Sequence, residues 1–132
     1  MKISASVESS FNQHKVVVKT NDTAQQLSVP LKSSGFGSAV NGGELLFLAL
    51  ATCFCNDIYR EAAKKNMKIT NVSVEASGEF GKEGEPGFNI TYKARIEGDA
   101  SDEELEELLR HTDRVAEIQN TIRVGREVVL VK

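Results

Sequence analysis

Two cysteines, Cys53 and Cys55, are the only thiols in the 132-residue chain, and both lie in the apolar run ELLFLALATCFC at 44–55. A thiol can serve as a nucleophile, a metal ligand, half of a disulfide or a small hydrophobe, and spacing narrows the choice. If the run is helical, residues two apart diverge by about 200° around the axis. A bridge between the two sulfurs would then unwind the helix, so the pair reads as neither a redox dithiol nor half of a zinc site. His14 and His111 stand alone in sequence, and neither a metal nor a cofactor is expected. Cys55 faces the side of Tyr59 and Ala62 and reads as core, as free cysteine usually does. Cys53 shares its side with Leu46, Ala49 and Leu50 before it and with Asp57 and Arg60 after it. It stands where the apolar half of the run gives way to a charged half, a place that could floor a cleft. An apolar setting keeps a thiol protonated and inert unless a cation is near. Arg60 is the candidate source of that charge, in its own subunit or across to a partner's site.

The elements around this run must position it. Ile3, Ala5 and Val7 alternate, HKVVVKT is β-branched, and Leu27, Val29 and Leu31 alternate again, with Asn12 and Asn21-Asp22 between them. That is an antiparallel meander, with Pro30 confining the third strand to an edge. A glycine-rich loop, KSSGFGSAVNGG, follows; it lacks both GxGxxG and a GK[ST] ending, so it reads as a connection. Asn41 with Glu44 three residues on predicts a capped helix to about Lys65. Its first half, 45–55, is apolar on every side and so needs cover all round, which calls for a partner chain. KITNVSVEASGEF and GFNITYKARIEG predict a hairpin with Val72, Val74, Ala76 and Phe80 on one face, opposite Phe88, Ile90, Tyr92, Ala94 and Ile96. Ser101 and Glu104 predict a second cap, followed by helical spacing from Leu105 to Ile122 with a break near 111–113. REVVLVK reads as a last strand. The order βββ-α-ββ-α(α)-β is an α+β pattern in a single domain, 1–132.

Composition narrows the function class. A net charge of −3 argues against gripping phosphate backbones or anionic lipid, so neither nucleic acid nor membrane is expected as a partner. The apolar run is too short for the roughly 20 residues of a membrane span. MKISASVESS has no apolar segment typical of a signal peptide, and two thiols fit a reducing compartment, so a cytoplasmic location is expected.

ELLFLALATC, preceded by a Gly-rich loop and followed by a polar half-helix, resembles the central helix of OsmC/Ohr-like proteins, the osmotically inducible and organic-hydroperoxide-resistance family. The order of elements is similar along essentially the whole chain. The resemblance implies an OsmC-like fold, with antiparallel sheets wrapped around a long central helix in an intertwined homodimer. It also implies a thiol peroxidase chemistry of oxidative-stress defence, in which Cys53 attacks a hydroperoxide. Three features depart from the family scheme. Ala116, in VAEIQNTI, stands where a second cysteine would resolve the oxidised thiol. No arginine precedes Cys53, only Lys2, Lys15, Lys19 and Lys32. Gly43 takes the place of a helix-start glutamate, with Glu44 one residue later, a candidate for catalysis and for capping alike.

Two functions are therefore carried forward. In the first, Cys53 is the nucleophile of a one-cysteine organic hydroperoxide reductase, with Glu44 and Arg60 as candidate supporting residues and an external thiol as reductant. In the second, the dimer is non-catalytic and binds a small apolar ligand near Phe36, Phe47 and Cys53.

Overall fold

The structure is a computed structural model describing all residues, Met1–Lys132. The chain divides into two compact units, Met1–Leu45 and Leu46–Lys132.

The first unit is the expected meander. Strands β1 (Ile3–Ser10), β2 (Gln13–Thr20) and β3 (Thr23–Leu27) pair antiparallel in that order. Asn12 and Asn21, at φ 58° and 51°, make the reversals; asparagine tolerates the left-handed region better than most residues. The third strand ends at Leu27 and does not cross 27–31. Pro30 has no N–H for a ladder, and Leu31 makes only an isolated bridge to Ser38. In the loop, Gly35 (φ 86°) accepts at its carbonyl from the Asn12 N–H at 2.7 Å. A Cβ there would stand 2.5 Å from Asn12 Oδ1 and 2.7 Å from the Phe11 ring, so only glycine fits. Gly35 is also the one buried residue of this unit, and every residue of β1 and β3 is exposed. The meander builds no core of its own.

Helix α1 runs Gly42–Lys64. Its cap is reciprocal: Glu44 N–H donates to Asn41 Oδ1 at 2.8 Å, and Asn41 N–H donates to Glu44 Oε1 at 3.0 Å. No helix is long and apolar enough to cross a membrane.

In the second unit, β4 (Ile69–Glu79) and β5 (Phe88–Gly98) form the antiparallel hairpin, with Val72 opposite Ile96, Val74 opposite Ala94 and Ala76 opposite Tyr92. Those residues face inward as their alternation predicts, but Phe80 and Phe88, where the hairpin nears its turn, are about half exposed. Phe54, Ile58 and Ala62 of α1 pack with Ile96, Leu108 and Ala116 in the core, and Phe54 meets Tyr92 edge-on at 4.9 Å. Helices α2 (Asp102–Val115) and α3 (Glu117–Val124) complete the unit. The Ser101–Glu104 capping box is present.

Two further expectations are corrected here. The break between the last helices falls at Ala116 rather than near 111–113. Ala116 is extended (φ −73°, ψ 109°), and the carbonyls it would leave bare are taken by side chains of α3. Arg123 donates to Asp113 O at 3.1 Å and Asn120 Nδ2 donates to Arg114 O at 3.0 Å. REVVLVK forms no strand: residues 125–132 have no ladder partner, and Val128 and Leu130 are 96% and 94% exposed. Within the chain itself the cover of 45–55 is incomplete, as the sequence reading expected, since Leu45 and Leu48 stay 44% and 59% exposed. The architecture is α+β, with antiparallel sheets and three helices.

Candidate active site at Cys53

One face of α1 carries the polar cluster. Cys53 and Asp57 are one turn apart, so their side chains are neighbours on that face. The Cys53 thiol donates to Asp57 Oδ2 at 3.5 Å, and Glu117 Oε2, from the first turn of α3, lies 3.9 Å from the sulfur. Arg60 then ties the two acids together, its Nη1 standing 3.1 Å from Asp57 Oδ1 and 2.8 Å from Glu117 Oε1. The Nε of the same guanidinium donates to Glu61 Oε2 at 2.7 Å. Glu61 is itself bound by Lys64 at 2.9 Å and His111 Nε2 at 2.8 Å.

Burial gives this network its character. Asp57 and Glu61 are 6% and 3% exposed, an uncommon fate for carboxylates, and each is matched by a cation at hydrogen-bond distance. Burial pushes the Cys53 thiol up from its ordinary value, and the charges of Asp57 and Glu117 add to the push, against a lowering by the Ile118 N–H. The site thus holds a thiol rather than a thiolate at neutral pH. Asp57 is raised by burial and by the neighbouring Glu117. Glu117 is lowered, first by its own backbone N–H and then by its partners Asp57 and Arg60. Glu61, hydrogen-bonded by Arg60 first and then by Lys64 and His111, falls to about 2.

Cys53, Asp57 and Glu117 bring one sulfur and two oxygen donors within 4.8 Å of one another, the only grouping in the molecule with metal-ligand chemistry. Arg60 already neutralises the outer oxygens of both acids, so the cluster has a cation of its own. Beside it, a cavity of about 340 Å³ is lined by Leu50, Ile90, Tyr92, Gln119 and Ile122, among others. Leu50, three residues before Cys53 on α1, forms part of its wall, and Thr91 and Arg123 add polar groups to a lining that Cys53 itself does not join.

The residues expected from the sequence separate into two groups. Cys53 and Arg60 meet in the cluster, joined through Asp57 and Glu117. Glu44 is engaged in the helix cap, nine residues or about 13 Å along the axis before Cys53. Phe36 belongs to the first unit, where its ring packs tilted against Phe11 at 5.2 Å. Phe47 projects about 120° away from Cys53 around the helix. Its ring lies where a side chain on Gly78 would be, 2.6 Å from the position of a Cβ there, and 6.1 Å from the Phe80 ring. Cys55 makes no side-chain hydrogen bond. Sequence reading placed Asp57 on the Cys53 side of the helix without giving it a role, and did not reach Glu117. The four-residue step from Cys53 was a visible signal for Asp57, but nothing local in sequence points to Glu117, 64 residues away.

Comparison with known proteins places this geometry. No functionally curated protein matches the chain in sequence. Among solved structures, an OsmC-like protein of unknown function from Vibrio cholerae is 17% identical with a TM-score of 0.61, covering 92% of this chain and 93% of its own. An organic hydroperoxide resistance protein OsmC from Legionella pneumophila is 23% identical with a TM-score of 0.60, over 93% and 90%. An organic hydroperoxide resistance protein from Elizabethkingia anophelis, with thiocyanate bound, is 19% identical with a TM-score of 0.60, over 93% and 89%. These likenesses show the fold. The family model described as OsmC-like protein matches residues 35–130, most of the chain and all of the Cys53 cluster. This chain belongs to the OsmC-like protein family.

Proposed function

We propose that the protein is a one-cysteine, thiol-dependent organic hydroperoxide reductase that works as a homodimer, with Cys53 as its nucleophile. One observation carries the reading: of the two thiols, Cys53 alone hydrogen-bonds into a cluster of charged side chains, and a cavity walled partly by Leu50, Ile90 and Ile122 borders the same helix. The cavity suits the organic part of a fatty or aromatic hydroperoxide. Sulfur attacks the outer peroxide oxygen, an S–O bond forms as O–O breaks, and the products are a sulfenic acid and an alcohol. With alanine at 116 there is no second cysteine to close a disulfide there, so two equivalents of an external thiol return Cys53 to the thiol, releasing water and a disulfide. Dimerisation is supported by the exposed stripe of Leu45, Leu48 and Tyr59 on α1 and by the apolar tail at 128–131. Thiol-dependent consumption of cumene hydroperoxide tests the reading: activity is expected in the wild type and in Cys55→Ser, and lost in Cys53→Ser. Equal rates in all three would refute it.

A second reading is favoured by the raised thiol: a non-catalytic dimer that holds an apolar ligand in the same cavity. It predicts peroxide inertness, with ligand affinity unchanged in Cys53→Ser.

A further inference from the structure

We infer that Asp57 is the acid–base group of the Cys53 site, taking the thiol proton as sulfur attacks and passing it to the departing alkoxide. The inference rests on the hydroperoxide reading above and adds the residue that moves its proton.

The chemistry demands such a group. When a thiol reduces ROOH, the S–O bond forms, O–O breaks, and RO⁻ must leave as ROH. The net movement is one proton from sulfur to the leaving oxygen. At a thiolate site only the alkoxide needs serving. Here burial and two facing carboxylates keep Cys53 protonated, so the proton must leave sulfur within the step itself.

Two acceptors reach the sulfur, and they are not equivalent. Asp57 Oδ2 takes the thiol hydrogen bond at 3.5 Å, whereas Glu117 Oε2 is 3.9 Å away. The Asp57 side chain is 9% exposed and that of Glu117 59%. A shielded carboxylate with an elevated affinity for protons can hold one between sulfur and alkoxide, while an exposed, stabilised carboxylate exchanges it with water. Arg60 binds Asp57 through Oδ1 and so leaves Oδ2 turned toward the sulfur. It is a positioning residue, itself fixed by Glu61. Nucleophile, proton acceptor and orienting group thus follow one another along α1 as Cys53, Asp57 and Arg60, an arrangement whose logic recurs at activated nucleophiles. The charged and titratable groups facing Asp57 are Cys53 and Arg60 of its own helix and Glu117 of α3.

The experiment compares two reactions of Cys53 across pH in a Cys55→Ser background: alkylation by iodoacetamide, which needs only thiolate, and single-turnover reduction of cumene hydroperoxide. In Asp57→Asn, with one carboxylate gone, alkylation at pH 7 is expected to accelerate. Peroxide reduction is expected to fall by roughly 100-fold, the low end of general acid–base contributions. Glu117→Gln should move both rates in the same direction by a few-fold. Asp57→Glu should restore part of the peroxide rate. If Asp57→Asn fails to fold, a solvent deuterium effect on the wild-type peroxide step decides: about twofold or more is expected for proton transfer in the step, and an effect near one overturns the role. A peroxide rate that rises with alkylation in Asp57→Asn, or stays unchanged, also overturns it while leaving the reductase reading intact. A wild type inert to peroxide defeats the reductase reading, and this inference with it.

Discussion

Two faces of α1 reverse the usual rule of charge outside and leucine inside. The inward face carries Leu50, Phe54 and Ile58, but also Asp57 and Glu61, two carboxylates almost fully removed from solvent. The outward stripe of Leu45, Leu48 and Tyr59, with Thr52 among them, spans only about 60° around the axis and is 44–59% exposed at its large apolar residues. Burying acids is unfavourable unless each is paired, and here every one is: Arg60, Lys64 and His111 together surround Glu61, and Arg60 reaches Asp57. Exposing leucines in a stripe is unfavourable unless something covers them. One face is thereby committed to a fixed electrostatic arrangement around a sulfur, and the other is the stripe on which the proposed dimer rests. A helix built only for stability would have exchanged these roles.

The sharpest way to break that comparison is to remove one apolar side chain from each face. Ile58, fully buried, should cost about 2–5 kcal/mol on Ile58→Ala. In thermal or denaturant unfolding, that loss should not depend on protein concentration. Leu48→Lys should leave the fold of the chain in place and instead raise the dissociation constant of the proposed dimer, by roughly 100-fold or more. Analytical ultracentrifugation over a dilution series checks it. If Leu48→Lys has no effect on assembly while Ile58→Ala unfolds the protein, the outward stripe is merely solvent-exposed surface.

A gentler probe uses pH. Glu61 is held to about 2 by Arg60, Lys64 and His111, well below its ordinary 4.5. A carboxylate lowered by folding contributes stability that is complete above its unfolded value and disappears as pH falls through the folded one. Stability should therefore decline between about pH 4.5 and 2, and Glu61→Gln should flatten that part of the acid unfolding curve. A curve of unchanged shape in the variant would show that the hydrogen-bonding groups around Glu61 contribute nothing to folding.

Much of this fold could be read before the structure because its signals are local. Asn41–Glu44 and Ser101–Glu104 each predicted a helix start, and each makes both hydrogen bonds of a reciprocal cap. The hairpin of β4 and β5 followed from period-two alternation, which any half-buried strand must show. Misreadings arose where the outcome depends on partners outside the element being read. The break at Ala116 depends on Arg123 and Asn120 reaching back to the end of α2, and REVVLVK has strand-forming residues but no strand beside it. The site divides in the same way. Cys53 and Arg60 could be picked from one helix, and Asp57 could have been, by its four-residue step. Glu117 could not, because only the packing of α3 brings it to the sulfur.

The reactivity of Cys53 is the claim on which the rest depends, and trapping its oxidised form tests it most directly. Protein treated with one equivalent of cumene hydroperoxide in the presence of dimedone should gain a single adduct, located by peptide mass spectrometry at Cys53, with Cys55 unmodified. An unmodified Cys53, or an adduct at Cys55 alone, would contradict the account.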